Sequence, residues 1–352
     1  MVVYRRISAL TEGTTSWRLR LLAGIGIDPF PQHLLEQRRV YFMSPYLVVG
    51  MSEPKQHVVI LPYFCEDEVE RYLRIAERLK TFRPSQCKVT YLLASSPKTT
   101  TSARLVEAYS QLSDTIPFAC PTQIFGYPEG PGAMFWDCME FIEREFGAND
   151  GFSLWLESDM APIKPDWLDR LSEQWYAGAQ TPIMMGCYVP EVYKYRFWKK
   201  PKLILHPHIN GGACYAMDFV KHMPDEARQG VFDMAVFQYA NQHGRARFTR
   251  QIAFSTNLRV RRDLADPNKV LLHGFMQDKD LFIEQCLTPL TETEQRRLHW
   301  NPMWDRLEKV QRQIRVQFVR RGRRAMLENM FLEKERFETA HPEQFETQPR
   351  VA

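Results

Sequence analysis

Four short stretches hold the side chains whose types and spacing can do chemistry. The first is Glu157-Ser158-Asp159, directly after the apolar run Phe152-Ser153-Leu154-Trp155-Leu156 and the turn signal Ala148-Asn149-Asp150-Gly151. Such a run between breakers predicts a short buried strand. Alternate residues of a strand share a face, so Glu157 and Asp159 are expected side by side at its carboxyl end, where open α/β sheets take their ligands. Two negative charges so placed repel, and a divalent cation is a common way to keep both ionised. A strand end whose acids cap the next helix is the competing explanation, with about equal weight for a lone Asp-x-Asp pattern. The second stretch, Val270-Leu271-Leu272-His273-Gly274, places a histidine after an apolar run, with Lys279 six residues on. His273 would complete an oxygen–oxygen–nitrogen set for a metal, although a lone histidine after a strand is more often structural. The third is Asn210-Gly211-Gly212-Ala213, whose paired glycines permit a close backbone approach before a strand. The fourth is Phe232-Asp233, at the start of a helix expected over 232–243, where Asp233 is most simply an N-cap.

The elements that must position these residues are legible from His57 onward. Val58 to Phe64 and Lys88 to Ala94 read as buried strands, and Thr122 to Tyr127 as a third. Helices are expected over 69–80, 103–112, 133–146 and from Pro165, with further strands at 181–188 and ahead of His273. Strand–helix alternation of this kind implies right-handed βαβ units and a mainly parallel sheet. Gly130-Pro131-Gly132 opens the helix at 133, where free N–H groups could face a phosphate or ribose; an ordinary tight turn is the commoner explanation. It lacks the Gly-Lys-Ser/Thr of a P-loop and the Gly-x-Gly-x-x-Gly dinucleotide pattern. The basic, aromatic segment 190–205 reads as a loop that either covers a cleft or sits in solvent.

Composition bounds the rest. A chain of 352 residues suits one large α/β domain or two small ones. The formal charge of +4 gives no global argument for a nucleic-acid partner. Seven scattered cysteines without metal-ligand spacing point to reduced, mostly buried thiols in a cytosolic protein. The start, Met1-Val2-Val3-Tyr4-Arg5-Arg6, leads into polar sequence unlike a secretory leader, and no stretch approaches the ~20 apolar residues of a membrane span.

Together, in this order, the pieces over roughly 57–280 resemble the GT-A class of nucleotide-sugar-dependent glycosyltransferases. The resemblance implies an α/β, GT-A-like fold with a mainly parallel, Rossmann-type sheet flanked by helices. It implies a hexosyltransferase-type enzyme that uses a nucleotide-diphosphate sugar, UDP being the commonest in the class, with Mn²⁺ or Mg²⁺. Glu157-Ser158-Asp159 matches the Asp-x-Asp-type metal motif, and the metal set implied is Asp159, His273 and Glu157. Pro62, Tyr63 and Phe64 match the end of the first strand, which frames the nucleotide base. Gly130, Gly132, Ser158, Gly274 and Lys279 join them on the donor side, His273-Gly274 with Lys279 resembling the late segment that closes on the diphosphate. Asn210, Gly211 and Gly212 resemble the acceptor-side segment. Asp233 falls where inverting members carry the base that takes a proton from the acceptor hydroxyl. Whether the transfer inverts or retains is left open, as is the acceptor: a glycan, a lipid-linked glycan or a modified DNA base.

Flanking this core, 1–56 is expected to be an extension without assigned chemistry, and 57–289 the catalytic domain. Over 290–337 an amphipathic helix is expected, with Trp300, Met303, Leu307, Val310, Ile314 and Phe318 on one stripe and a strongly basic stretch at 306–324. That helix suits an anionic membrane surface, nucleic-acid phosphates, or plain packing on the catalytic domain. The expected location is therefore cytoplasmic, with a peripheral membrane position if the helix meets lipid. The tail 338–352 is expected to be disordered. Two other function classes remain: a metal-dependent nucleotidyltransferase, which would release pyrophosphate, and a noncatalytic protein that binds nucleic acid or anionic membrane.

Overall fold

The first strand, β1 (Gln56–Tyr63), is apolar almost throughout because both of its faces are covered. It belongs to a computed structural model that describes residues 54–190, 192–196, 199–228, 231–257, 259–274 and 278–298, with 330, 333–334, 336–342 and 345. The expected extension at 1–56 lies essentially outside the described residues, and so does 299–329 of the amphipathic helix expected over 290–337, including its basic stretch at 306–324.

From β1 the chain runs through α1 (Glu66–Leu79), β2 (Lys88–Ser95), α2 (Ala103–Ser110), β3 (Asp114–Ala119), α3 (Glu129–Phe146) and β4 (Phe152–Trp155). Acidic residues fill the first turn of α1, where they meet the positive end of the helix dipole. Ser102 caps α2 by accepting a hydrogen bond from the Leu105 N–H. Strands β4, β1, β2 and β3 lie parallel in that spatial order. The third strand is not at 122–127: it is the earlier segment Asp114–Ala119, which contains Pro117. That proline obscures the strand in the sequence, yet it is tolerated because β3 is the sheet edge.

The remaining elements are β5 (Met160–Pro162), α4 (Trp167–Tyr176), β6 (Met184–Gly186), β7 (Tyr188–Val189), β8 (Val192–Arg196), β9 (Lys199–Leu205), β10 (His208–Ile209), β11 (Cys214–Ala216), α5 (Phe232–Gln242), β12 (Ala246–Phe248), β13 (Ile252–Ser255), α6 (Val260–Ala265), β14 (Leu271–Gly274), α7 (Lys279–Leu287) and α8 (Glu292–Leu298). Strand β11 enters the sheet antiparallel beside β4, and β6 and β12 complete it, so the central sheet is mainly parallel. Alternate residues of β1 feed two cores. Val59 and Leu61 pack with α1, α2 and α4 on one face, and Val58 and Ile60 with α3 and α5 on the other. This is an α/β fold with helices on both faces of the sheet.

A second, three-stranded sheet runs β13-β14-β5. Its β14 is antiparallel to β5, with His273 opposite Met160. The segment expected as a loop at 190–205 is instead an antiparallel hairpin of β8 and β9. The β-favouring run Val192-Tyr193-Lys194-Tyr195 outweighs its charge. The tail departs from expectation too: helix continues through Ala340, and Phe345 is buried with its ring stacked on Phe248. An aromatic side chain with that much area to bury holds this part of the tail in place. No described helix is long and apolar enough to cross a membrane.

Candidate active site

Strand β4 ends at Trp155, so Glu157 and Asp159 are not strand neighbours as expected. They lie in a tight turn closed by the Met160 N–H on the Glu157 carbonyl at 2.9 Å. The turn, rather than strand alternation, aims both carboxylates at one point. What it aims them at comes from the second sheet: pairing of β14 with β5 brings His273 alongside, and the Gly274 N–H bonds the Asp159 carbonyl at 2.8 Å. His273 Nε2 then stands 3.4 Å from Glu157 Oε2 and 3.4 Å from Asp159 Oδ1. One ligand atom from each of Glu157, Asp159 and His273 falls within 4.8 Å of the others.

The electrostatics of this cluster are tightly matched. Lys279, the first residue of α7, places Nζ 3.0 Å from Asp159 Oδ2. Asp278 caps that helix, while Arg71 and Arg74 of α1 hold the neighbouring Asp280 at 3.4 and 2.5 Å. Burial opposes ionisation of Asp159, but His273 and Lys279 outweigh it and hold the carboxyl well below its usual range. Burial likewise disfavours a charged His273, yet Glu157 and Asp159 lift it to about 10. Without a cation, then, a proton on Nε2 and the Lys279 ammonium balance two carboxylates.

The donor set also fits a metal. Asp159 Oδ1 is sealed from water and makes no hydrogen bond; the ring nitrogen at 3.4 Å faces it only as an ion pair. An oxygen left orphaned beside a second carboxylate and an imidazole is a ligand set for a hard or borderline divalent ion. Asn210 lies on the far side of the ring, Nδ2 to Nδ1 at 3.0 Å. An Asn210 amide turned over would accept from Nδ1–H and leave the Nε2 lone pair facing the carboxylates, as a metal ligand requires.

Asp233 stands across from this cluster. It is not an N-cap, since Val231 occupies that position, but its Oδ1 accepts from the Met234 N–H at 2.8 Å. Burial raises its carboxyl above the usual range, His208 pulls it down, and Glu157 adds to the rise. The Gly211 backbone N–H also pulls it down. A larger residue at Gly211 would force a shift: its Cβ would lie 2.8 Å from the Phe232 ring and 3.2 Å from Glu157 Oε1. Gly212 backs onto Met160 and His273 in the same way.

Other residues expected in the site divide. Ser158 is buried and donates to Glu68 Oε1 at 3.2 Å, while Glu68 Oε2 accepts from the Phe64 N–H at 2.6 Å. Glu68 thus ties the end of β1 to the acidic turn. Of Pro62, Tyr63 and Phe64, only Phe64 is exposed. The Tyr63 side chain turns inward and its hydroxyl accepts from the Ser102 N–H, and the Pro62 carbonyl accepts from the Tyr72 hydroxyl. Gly130 and Gly132 lie inside the first turn of α3 and are buried. Their N–H groups are taken by the carbonyls of Gly126 and Pro128, so they do not offer the free donors expected of them. Local sequence patterns give no site role to Glu68 or His208. The His206-Pro207-His208 pattern just before the paired glycines was the available signal for the second.

No family model matches the chain, and no curated protein matches it. Solved structures do. S. aureus TarS is 12% identical with a TM-score of 0.34, covering 69% of this chain, which spans 42% of TarS. A glycosyltransferase involved in glycosylation of the major capsid of PBCV-1 is 11% identical with a TM-score of 0.39, over 66% of this chain and 98% of that one. A 4-diphosphocytidyl-2C-methyl-D-erythritol synthase is 12% identical with a TM-score of 0.39, over 67% and 99%. Glycosyltransferases recur among the similar structures, beside a synthase of another kind. Likenesses this loose are compatible with more than one chemistry, so the side chains around Asp159 must decide the function.

Proposed function

We propose that this chain is a metal-dependent glycosyltransferase that moves a sugar from a nucleotide-diphosphate sugar, a UDP-sugar in the first instance, to an acceptor hydroxyl. The observation that carries the proposal is the convergence of Glu157, Asp159 and His273 at the carboxyl end of a parallel sheet, with the carboxyl of Asp233 close by. Asp159, His273 and Glu157 are the residues that would hold Mn²⁺ or Mg²⁺, and the ion would supply positive charge for a leaving diphosphate. Lys279 adds a second positive group on the same side. Phe64 offers an exposed ring at the end of β1 for the base. Asp233 takes the proton of the incoming hydroxyl. The cluster follows directly on the carboxyl end of β4, which lies parallel beside β1, and that end of an open α/β sheet is where a nucleotide is received.

Thermal unfolding with a panel of nucleotide sugars, with and without Mn²⁺, tests this. A ligand at a hundred times its dissociation constant adds about 2.7 kcal/mol of stability. Stabilisation by one donor that needs Mn²⁺ and disappears in Asp159→Ala, followed by release of a nucleoside diphosphate, is the expected result. Release of pyrophosphate from a nucleoside triphosphate would instead identify a nucleotidyltransferase, and no stabilisation by any nucleotide sugar would end the proposal.

A further inference from the structure

Helix α1 carries three arginines. Arg71 and Arg74 share Asp280, but Arg78, in the last turn, faces no carboxylate among the described residues. Its Nε is sealed from water and meets no acceptor, and its guanidinium lies 5.1 Å from the centre of the Phe82 ring. A cation suits a helix carboxyl end, yet that effect does not require a buried N–H without a partner. Arg78 borders a cavity of about 370 Å³, the size of a small-molecule site, which Lys164 also lines from just beyond β5. The Lys164 ammonium donates to the Leu264 carbonyl at 2.8 Å, which leaves two of its three N–H donors. Burial and the charge of Arg170 hold it below its ordinary range, outweighing the pull of Asp266 and Asp166. No aspartate or glutamate lines the cavity, and Ile163, Leu264, Ala265 and Leu290 give it an apolar wall. The cavity is separate from the catalytic cluster. Lys279 opens α7 beside Asp159, whereas the cavity lies at the other end of that helix, about 12 Å along its axis.

We propose that this cavity binds a small phosphate monoester, with the phosphate held by Arg78 and Lys164 and the organic part laid against the apolar wall. Two cations and no acid make a site that matches a dianion. A phosphate monoester carries about −1.5 to −2 at pH 7, whereas a carboxylate or a sulfate ester brings a single charge. The planar guanidinium can grip two phosphate oxygens at once, and Nε–H is one of the donors that a side-on grip uses. Lys164 adds a point charge with donors to spare. An oxyanion seated there would give the orphaned Nε its acceptor and would offset the burial of the ammonium. The apolar wall selects an ester over free phosphate, because only an ester has carbon to bury there. None of these residues belongs to the cluster around Asp159, so the site stands whatever reaction that cluster performs.

Titration calorimetry on the full chain in metal-free buffer tests this, with inorganic phosphate and phenyl phosphate as probes. Both should bind at one site per chain, phenyl phosphate roughly fivefold more tightly because its ring reaches the apolar wall. Arg78→Met and Lys164→Met, each unfolding at the wild-type temperature, should weaken both probes by about tenfold or more. Ala265→Phe keeps both charges and narrows the cavity, so it should remove phenyl phosphate binding even if the charge variants fail to fold. Lys279→Met should bind both probes as the wild type does. Binding that survives Arg78→Met and Lys164→Met but is lost in Lys279→Met would place the anion at the catalytic cluster and overturn the proposal. No binding of either probe by the wild type would overturn it too. Phenyl phosphate that binds no more tightly than inorganic phosphate, or as well in folded Ala265→Phe, would overturn the ester as the ligand class.

Discussion

Two histidines of this chain, His57 and His273, share nearly everything except their neighbours. Both sit on strands, both are almost fully buried, and each stacks on a phenylalanine, Phe152 and Phe254 respectively. His57 accepts the Phe152 N–H at Nδ1 and meets the Ser172 hydroxyl at Nε2, 3.2 and 2.9 Å away. Its partners are neutral, burial dominates, and its pKa drops to about 4. His273 meets two carboxylates and rises to about 10 despite equal burial. Burial sets how strongly a buried group responds, and the charge of its neighbours sets the direction. One histidine is a fastening of the core; the other belongs to a charge cluster able to trade its proton for a cation.

The contrast can be broken outright. In Glu157→Gln/Asp159→Asn, His273 keeps its burial and loses both charges, so it should behave like His57. Its NMR titration midpoint should fall from about 10 to below 6.5, a change of more than about three pH units, or about 5 kcal/mol. A midpoint that stays high would show that the carboxylates are not its cause. A smaller effect comes from His57. Because its folded pKa lies below the unfolded value of 6.5, its neutral form stabilises the fold fully above pH 6.5. That contribution is lost as pH falls toward about 4, by about 3 kcal/mol. Urea unfolding at pH 7 and pH 4.5 should show that loss in the wild type and a clearly smaller one in His57→Gln. His273 has the opposite sign in the metal-free protein: its contribution is complete below pH 6.5 and is lost as pH rises through about 10. The smallest effect sharpens the comparison. Lys279 is half exposed, so solvent screens its pairing with Asp159, and Lys279→Met should tighten binding of Mn²⁺ alone by roughly fivefold, about 1 kcal/mol. Weaker binding in calorimetry would mean that Lys279 supports the cation site rather than competing for it.

The sequence shows the parallel half of the fold well. Continuous apolar runs such as Val58 to Tyr63 can only be strands covered on both faces, and the amphipathic spacing of α1 follows from packing on that sheet. Edge strand β3 was misplaced because Pro117 reads as a breaker when the sheet edge is not yet known. Glu157, Asp159 and His273 were legible by residue type, and the structure brings them together, but through a turn and a second sheet that no local pattern announces. Glu68 and His208 were hidden for a related reason. Each acts through a contact remote in sequence, on Ser158 and Asp233, and periodicity reports only which face a residue is on. Gly130 and Gly132 looked like phosphate donors because the sequence shows a helix start, not whether its N–H groups are already taken.

The pairing of β14 with β5 also sets an order in time. During synthesis the strands β1 to β4, with both acidic residues of the turn, leave the ribosome long before His273 and Lys279. Until β14 docks, Glu157 and Asp159 have neither the imidazole nor the ammonium that balances them. A nascent or prematurely ended chain therefore carries an uncompensated acidic turn at the rim of a nearly finished sheet. Completion of the cluster coincides with docking of β14, so its counter-charges arrive only once the second sheet has formed.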